Sequence, residues 1–171
     1  MDDTTKRRKS AHAKRPPRVL AVASSGGHWA ELLRLTPAWE GCELVYATTD
    51  PALEADMAGH GAARFVAIPD ASRWSRWRLV RLVAHLAWQM VRLRPDVIVS
   101  TGAAPGYVAL RLGRLVGARG IWVDSVANAG ALSMSGRMAG PHCDLWLTQW
   151  PHLGREATGA SEGPEYSGSV L

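Results

Sequence analysis

Cysteine is scarce: the 171-residue chain has two, Cys42 and Cys143. They form no CxxC or Cys/His spacing, which excludes a zinc finger or ribbon and a disulfide-built scaffold. A reducing, cytosolic compartment fits that usage. Lysine is absent after Lys14. Uninterrupted apolar runs never reach the roughly 18 residues that span a bilayer. The N-terminus also lacks the apolar stretch of a signal peptide. If the protein works at a membrane, it is expected to lie on the cytoplasmic face of the cell membrane as a peripheral protein. No GK[ST] is present, so a Walker phosphate loop is excluded. Nothing in the residue pattern asks for a metal or an organic cofactor.

The formal charge of +5 is carried by the first stretch of chain. Residues 1–18 hold Lys6, Arg7, Arg8, Lys9, Lys14, Arg15 and Arg18 against Asp2 and Asp3, whereas the remainder balances thirteen arginines with thirteen acids. The high pI therefore describes a tail, not a basic globular face. Residues 1–17 read as a basic disordered tail, either solubilising or weakly attracted to anionic lipid. One folded domain is expected over 18–171. That length suffices for one α/β domain and falls short of two nucleotide-fold domains.

Beyond Pro16-Pro17, short β-branched runs alternate with helical patterns. The runs predict strands at 18–23, 43–47, 64–68, 96–100, 120–124 and 145–148. Helices are expected at about 29–36, 51–59, 75–93, 105–116 and 133–139. The glycine-, serine- and glutamate-rich stretch 154–163 reads as a loop before a short terminal segment, 165–171. Such alternation predicts a Rossmann-like, doubly wound parallel sheet, with ligands bound at the C-terminal edge of the strands.

Two loops on that edge stand out. Ser24-Ser25-Gly26-Gly27-His28 follows the first strand and opens a helix. Glycines there allow close backbone approach, and free N–H groups at a helix start favour phosphate. An ordinary strand-to-helix turn is the plainer alternative. A dinucleotide site fits poorly: Gly26 and Gly27 are adjacent, and Ser24 and Ala30 occupy the positions where GxGxxG needs glycine. His28 is a candidate general base, a ligand contact or a capping group. The second loop, Thr101-Gly102-Ala103-Ala104-Pro105-Gly106, follows the fourth strand, with Pro105 suited to a first helical turn. Together the loops are expected to cradle a diphosphate through Ser24, Ser25, Gly26, Gly27, Thr101, Gly102, Pro105 and Gly106.

In the 75–93 segment, Arg78, Arg81, His85, Gln89 and Arg92 recur at helical spacing as one narrow polar stripe. The remaining face is apolar and wider than one side of a sheet covers. Trp74 and Trp77 stand at its start beside Arg73 and Arg76. Six arginines and no acid fall between 73 and 94. Two readings stand. In one, this is a core helix with a solvated arginine edge. In the other, Trp74, Trp77, Arg78, Arg81 and Trp88 meet a membrane or the lipid of an acceptor. Nucleic acid is not expected, since no basic patch with interleaved aromatics or binding motif is present.

In order and spacing, four stretches resemble the PssD-type exopolysaccharide subunits: Ser24–His28, Pro95–Gly102, Leu132–Arg137 and Asp144–Pro151. The same stretches are similar to the membrane-recruiting subunits of the split UDP-GlcNAc transferase of dolichol-linked oligosaccharide assembly. The resemblance implies a single domain equal to one half of a GT-B glycosyltransferase, like the N-terminal half of MurG. It implies a partner subunit holding the UDP-sugar, a lipid-linked saccharide acceptor on this chain, and contact with the membrane. His28 with Gly26 and Gly27 would be the acceptor-side loop, and the scaffold alternative is recruitment without catalysis. The stretch Asp124-Ser125-Val126-Ala127-Asn128 departs from the family pattern. Asp124 stands in place of a glutamate, and Asn128 brings no positive charge, so Asp124 and Ser125 are further loop candidates only.

Overall fold

The computed structural model describes residues 15–58, 63–70 and 76–170. Of the basic tail only residues 15–17 fall within them, and Trp74 lies outside the described residues. Six strands appear where the apolar runs predict them. They are β1 (Arg18–Ala23), β2 (Glu43–Thr48), β3 (Arg64–Ala67), β4 (Val97–Ser100), β5 (Arg119–Val123) and β6 (Leu145–Thr148). A two-residue strand, β7 (Glu165–Tyr166), completes the sheet. All seven run parallel in the order β3-β2-β1-β4-β5-β6-β7. The order reverses between β1 and β4, so the loops following those two strands are neighbours, as the doubly wound rule requires.

The helices are α1 (Gly27–Arg34), α2 (Arg76–Leu93), α3 (Ala103–Leu115), α4 (Met134–Ala139) and α5 (Arg155–Thr158). Two differences from expectation have local causes. The segment expected as a helix at 51–59 is a 3-10 helix, Pro51–Met57. Asp50 caps it by accepting the Ala52 N–H at 2.9 Å, and no residue in it is buried. Without an apolar face to bury, nothing extends it into a regular helix. The loop expected over 154–163 contains the single turn of α5, closed at Gly159 in the left-handed region.

Two apolar layers sandwich the sheet. One packs Leu82, Leu86, Met90 and Leu93 of α2 and Ala109 and Leu110 of α3 over Leu20, Val22, Ile98 and Trp122. The other packs Trp29 and Leu32 of α1 over Val19, Ala21, Tyr46 and Val99. β1 is buried on both faces because both layers need it. That explains its unbroken run of apolar residues.

α3 sits close to the sheet because of Gly106. A Cβ at that position would fall 1.7 Å from Ser100 Oγ and 2.7 Å from Ser100 Cβ. Gly106→Ala is therefore expected to lower stability by about 1–3 kcal/mol in urea unfolding, since α3 must lift from β4.

At the opposite edge, Asp96 ties the start of β4 to β1. It accepts the Arg18 N–H at 2.7 Å and both terminal nitrogens of Arg15 at 2.9 and 3.0 Å. The Arg18 amide foremost, with the Arg15 guanidinium, holds its carboxyl below the usual carboxylate range. A depressed folded-state pKa contributes stability above the unfolded value, and that contribution is lost as pH falls through the depressed one. Asp96→Asn is thus expected to flatten the fall in urea midpoint as the pH drops below about 4.

Candidate functional site

The chain enters α1 through Gly26, whose backbone lies in the left-handed region at φ 80°. Neither α1 nor α3 has a side-chain cap. The first N–H groups of each have no intrahelical partner. A Cβ at Gly26 or Gly27 would meet nothing within 4 Å, so this first cradle is open. Ser24 is half-buried and Ser25 exposed beside it, with the Ser25 N–H donating to Thr49 Oγ1 at 3.3 Å.

The two loops meet at His28. A Cβ on Gly102 would lie 2.4 Å from His28 Cε1 and Nδ1 and 2.9 Å from Nε2, so the imidazole sits against the Gly102 backbone. Thr101 Oγ1 donates to the His28 carbonyl at 2.6 Å, a second tie between the loops. His28 Nδ1 is buried and has no hydrogen-bond partner among the described residues. The second loop differs from the first in what it offers. The Gly102 N–H is already spent on Ser100 Oγ at 3.1 Å. Pro105 and Gly106 are buried beneath the helix start, and Gly106 serves packing. Ala103 and Ala104 at the helix start are half-buried, and the other members of this loop are buried. Ala103 is held at φ 64°, a conformation that costs an L-residue free energy.

Asp124 and Ser125 are buried and take structural positions. Asp124 accepts the Ser133 N–H at 2.8 Å and Ser133 Oγ at 2.6 Å, and Ser133 in turn caps α4 through the Gly136 N–H at 2.8 Å. Asn128 Nδ2 donates to Asp124 Oδ1 at 3.4 Å, where a positive charge was expected from the family pattern. Ser125 Oγ donates to Glu31 at 2.7 Å.

Glu31 and Gln149 are the residues that sequence reasoning missed. Both are buried. Gln149 Nε2 donates to Glu31 Oε2 at 3.0 Å and to the Asp124 carbonyl at 3.1 Å. Its Oε1 accepts the Val170 N–H at 3.0 Å and Ser169 Oγ at 3.4 Å. One amide thus joins α1, the loops after β5 and β6, and the C-terminal segment. Arg34, the last residue of α1, adds a bond from Nη1 to the Val170 carbonyl at 3.1 Å. The one local hint was an acid at 31, flanked in the helix by buried Trp29 and Leu32.

The polar stripe of α2 divides. Arg78, Arg81 and Arg92 are exposed, His85 is half-buried, and Gln89 faces the core with its Nε2 3.2 Å from His85 Nε2. The buried line is Leu82, Leu86, Gln89, Met90 and Leu93. The opposite side of the helix is apolar and bare: Trp77 is 79 % exposed, Val80 54 %, Trp88 52 % and Val91 67 %. The Arg92 guanidinium lies over the Trp88 ring at 5.2 Å. No helix among the described residues is long and apolar enough to cross a membrane.

The described cysteines are free, and burial pushes the Cys143 thiol up to about 12, with Asp144 adding to the shift.

No family model matches the chain. It is similar to the UDP-N-acetylglucosamine transferase subunit ALG14 of Eremothecium gossypii, 29 % identical over 85 % of this chain and 78 % of that protein. The human ALG14 subunit is 27 % identical over 79 % of this chain and 76 % of its own length. Among solved structures, Acinetobacter baumannii MurG superposes with a TM-score of 0.68 at 16 % identity, covering 90 % of this chain and 46 % of MurG. A UDP-N-acetylglucosamine 2-epimerase from Rickettsia bellii gives 0.66 at 13 % identity, over 91 % of this chain and 45 % of the epimerase. The chain spans under half of either structure. Its fold is Rossmann-like and matches that of the N-terminal half of MurG.

The buried amide makes a specific demand on stability. Gln149→Leu removes one of the two hydrogen bonds to the buried Glu31 carboxylate and leaves the half-buried Val170 without the acceptor of its N–H. It is expected to cost about 2–4 kcal/mol in chemical denaturation.

Proposed function

We propose that this chain is the acceptor-binding, membrane-associating subunit of a two-part glycosyltransferase. A partner subunit holds a UDP-sugar, and this chain holds a polyprenyl-diphosphate-linked saccharide in polysaccharide or oligosaccharide assembly. The observation that carries the reading is His28 seated on Gly102. It places one titratable ring between two uncapped helix starts on a shared edge of the sheet. The similarity to proteins named as transferase subunits supports a divided enzyme. So does the coverage of less than half of MurG.

In this reading the acceptor diphosphate rests mainly on the open loop Ser24–Gly27, with the start of α3 completing the cradle. Its lipid leaves along the bare face of α2, where Trp77 and Trp88 suit the headgroup boundary and Arg78, Arg81 and Arg92 suit lipid phosphates. His28 takes the proton of the attacking acceptor hydroxyl as that oxygen bonds to the anomeric carbon of the donor sugar. The UDP leaving group departs with the electron pair of the broken bond, stabilised by the partner. Such an inverting displacement needs no covalent intermediate on this chain. The protein would work from the cytoplasmic side of the membrane.

The plainer reading is a scaffold that only recruits the partner. His28→Ala separates the two. In the reconstituted two-subunit enzyme it is expected to lower the transfer rate about 100-fold or more, with membrane binding unchanged. Full activity of that variant would leave only the scaffold. Sugar transfer by the isolated chain would contradict the division into two subunits.

A further inference from the structure

The edge of the sheet remote from His28 carries a second feature. A depression of about 650 Å³ opens between the C-terminal ends of α2 and α3. Its rim includes Arg15, Arg94 and Arg119, with Val91 and Val116 as apolar walls. Asp96 is the acid in the lining, and its oxygens are occupied by Arg15 and the Arg18 N–H. Arg94 and Arg119 are exposed, and among the described residues their side chains form no ion pair. Two uncompensated guanidinium groups therefore face this space.

Three further observations point the same way. Arg94 sits at φ 46°, directly before Pro95. The left-handed region suits glycine, and a following proline disfavours helical backbone further. An arginine held there sustains strain that a glycine would relieve, an outlier of the kind that collects at ligand sites. The walls continue into exposed apolar surface: Val91 belongs to the bare face of α2, and Leu115, next to Val116, is 81 % exposed. Finally, Arg15 is the link to the basic tail. Residues 1–14 carry five basic and two acidic side chains, and chain connectivity attaches them at this rim.

We infer that this basal depression binds the phosphate headgroup of an anionic membrane phospholipid, with the acyl chains against Val91, Val116 and Leu115. It is a site separate from the cleft of the acceptor. The inference rests on the membrane association proposed above and adds a lipid charge preference and an orientation. α2 is about 27 Å long at 1.5 Å per residue. With its bare face on the bilayer, both the His28 end and the basal end of the domain touch lipid.

The test is sedimentation of the full chain with vesicles of phosphatidylcholine alone and of phosphatidylcholine containing about 30 % phosphatidylglycerol. Arg94→Gly with Arg119→Gln is expected to weaken partition onto anionic vesicles about 25-fold, from about fivefold per basic residue. Partition onto neutral vesicles should not change. The melting temperature should be unchanged or higher, because glycine relieves the strain at 94. An unaltered anionic preference in that variant overturns the inference. Trp77→Ser with Trp88→Ser is expected to weaken binding to both vesicle types. If only the tryptophan variant loses binding, membrane association stands and the basal site falls. If the parent chain sediments with neither vesicle, both fall. If the arginine pair governs binding of a single-stranded oligonucleotide or of inorganic phosphate but not of vesicles, the site is not a lipid site.

Discussion

An imidazole at 28 and any side chain at 102 cannot share the same space, and the upper edge of this domain is arranged around that exclusion. The glycine sits after β4, the histidine after β1, and the two strands are neighbours because the order of the sheet reverses between them. The Thr101 hydroxyl then ties the second loop to the His28 carbonyl. The ring gains a fixed seat while α1 keeps its uncapped start free beside it. Of the two glycine loops, one thus remains available to a ligand backbone-first, and the other is largely consumed in holding the histidine. A symmetric two-cradle picture becomes an asymmetric one, in which Gly26 and Gly27 are open and Gly102 is a platform.

The seat is useful only if α1 does not move, and the apolar contacts of Trp29 and Leu32 alone permit sliding. Direction comes from Glu31. A buried carboxylate without a cationic partner costs free energy unless its oxygens are satisfied. Here Ser125 and Gln149 satisfy them. Hydrogen bonds are directional where apolar packing is not, so this pair fixes the rotation of the helix that carries His28. Gln149 also accepts from Ser169 and Val170, which makes the C-terminal segment part of the same support.

The strands were legible because a sheet buried on both faces demands unbroken apolar runs, and six such runs stand in the chain. β7 was not, since two residues carry no periodicity. The 3-10 segment after Asp50 was expected as a regular helix, yet it lacks an apolar face. In the site, glycine identity alone could not separate positions open to a ligand, Gly26 and Gly27, from those excluded by neighbours, Gly102 and Gly106. That difference depends on Ser100, Trp122 and His28, which reach these glycines only through the fold. The Glu31–Gln149 bond spans 118 positions and leaves no local trace. Gln89 illustrates the same limit from the other side. Its spacing placed it on the polar stripe, but the helix rolls so that Gln89 packs inward and Trp88 outward.

That roll is what distinguishes α2 from an ordinary covering helix. A helix over a sheet normally turns its polar side to water. Here the side opposite Leu82, Leu86 and Met90 is Trp77, Val80, Trp88 and Val91, with arginines along the flank instead of the crest. Burying the alternative face would have hidden the tryptophans and exposed leucine. The observed choice instead leaves at the surface the two residues whose indole N–H suits a half-wet boundary. Arg92 over the Trp88 ring keeps a cation beside that boundary without placing it on the apolar crest. The arrangement is coherent for a helix that lies along a bilayer and costly for one that faces only water.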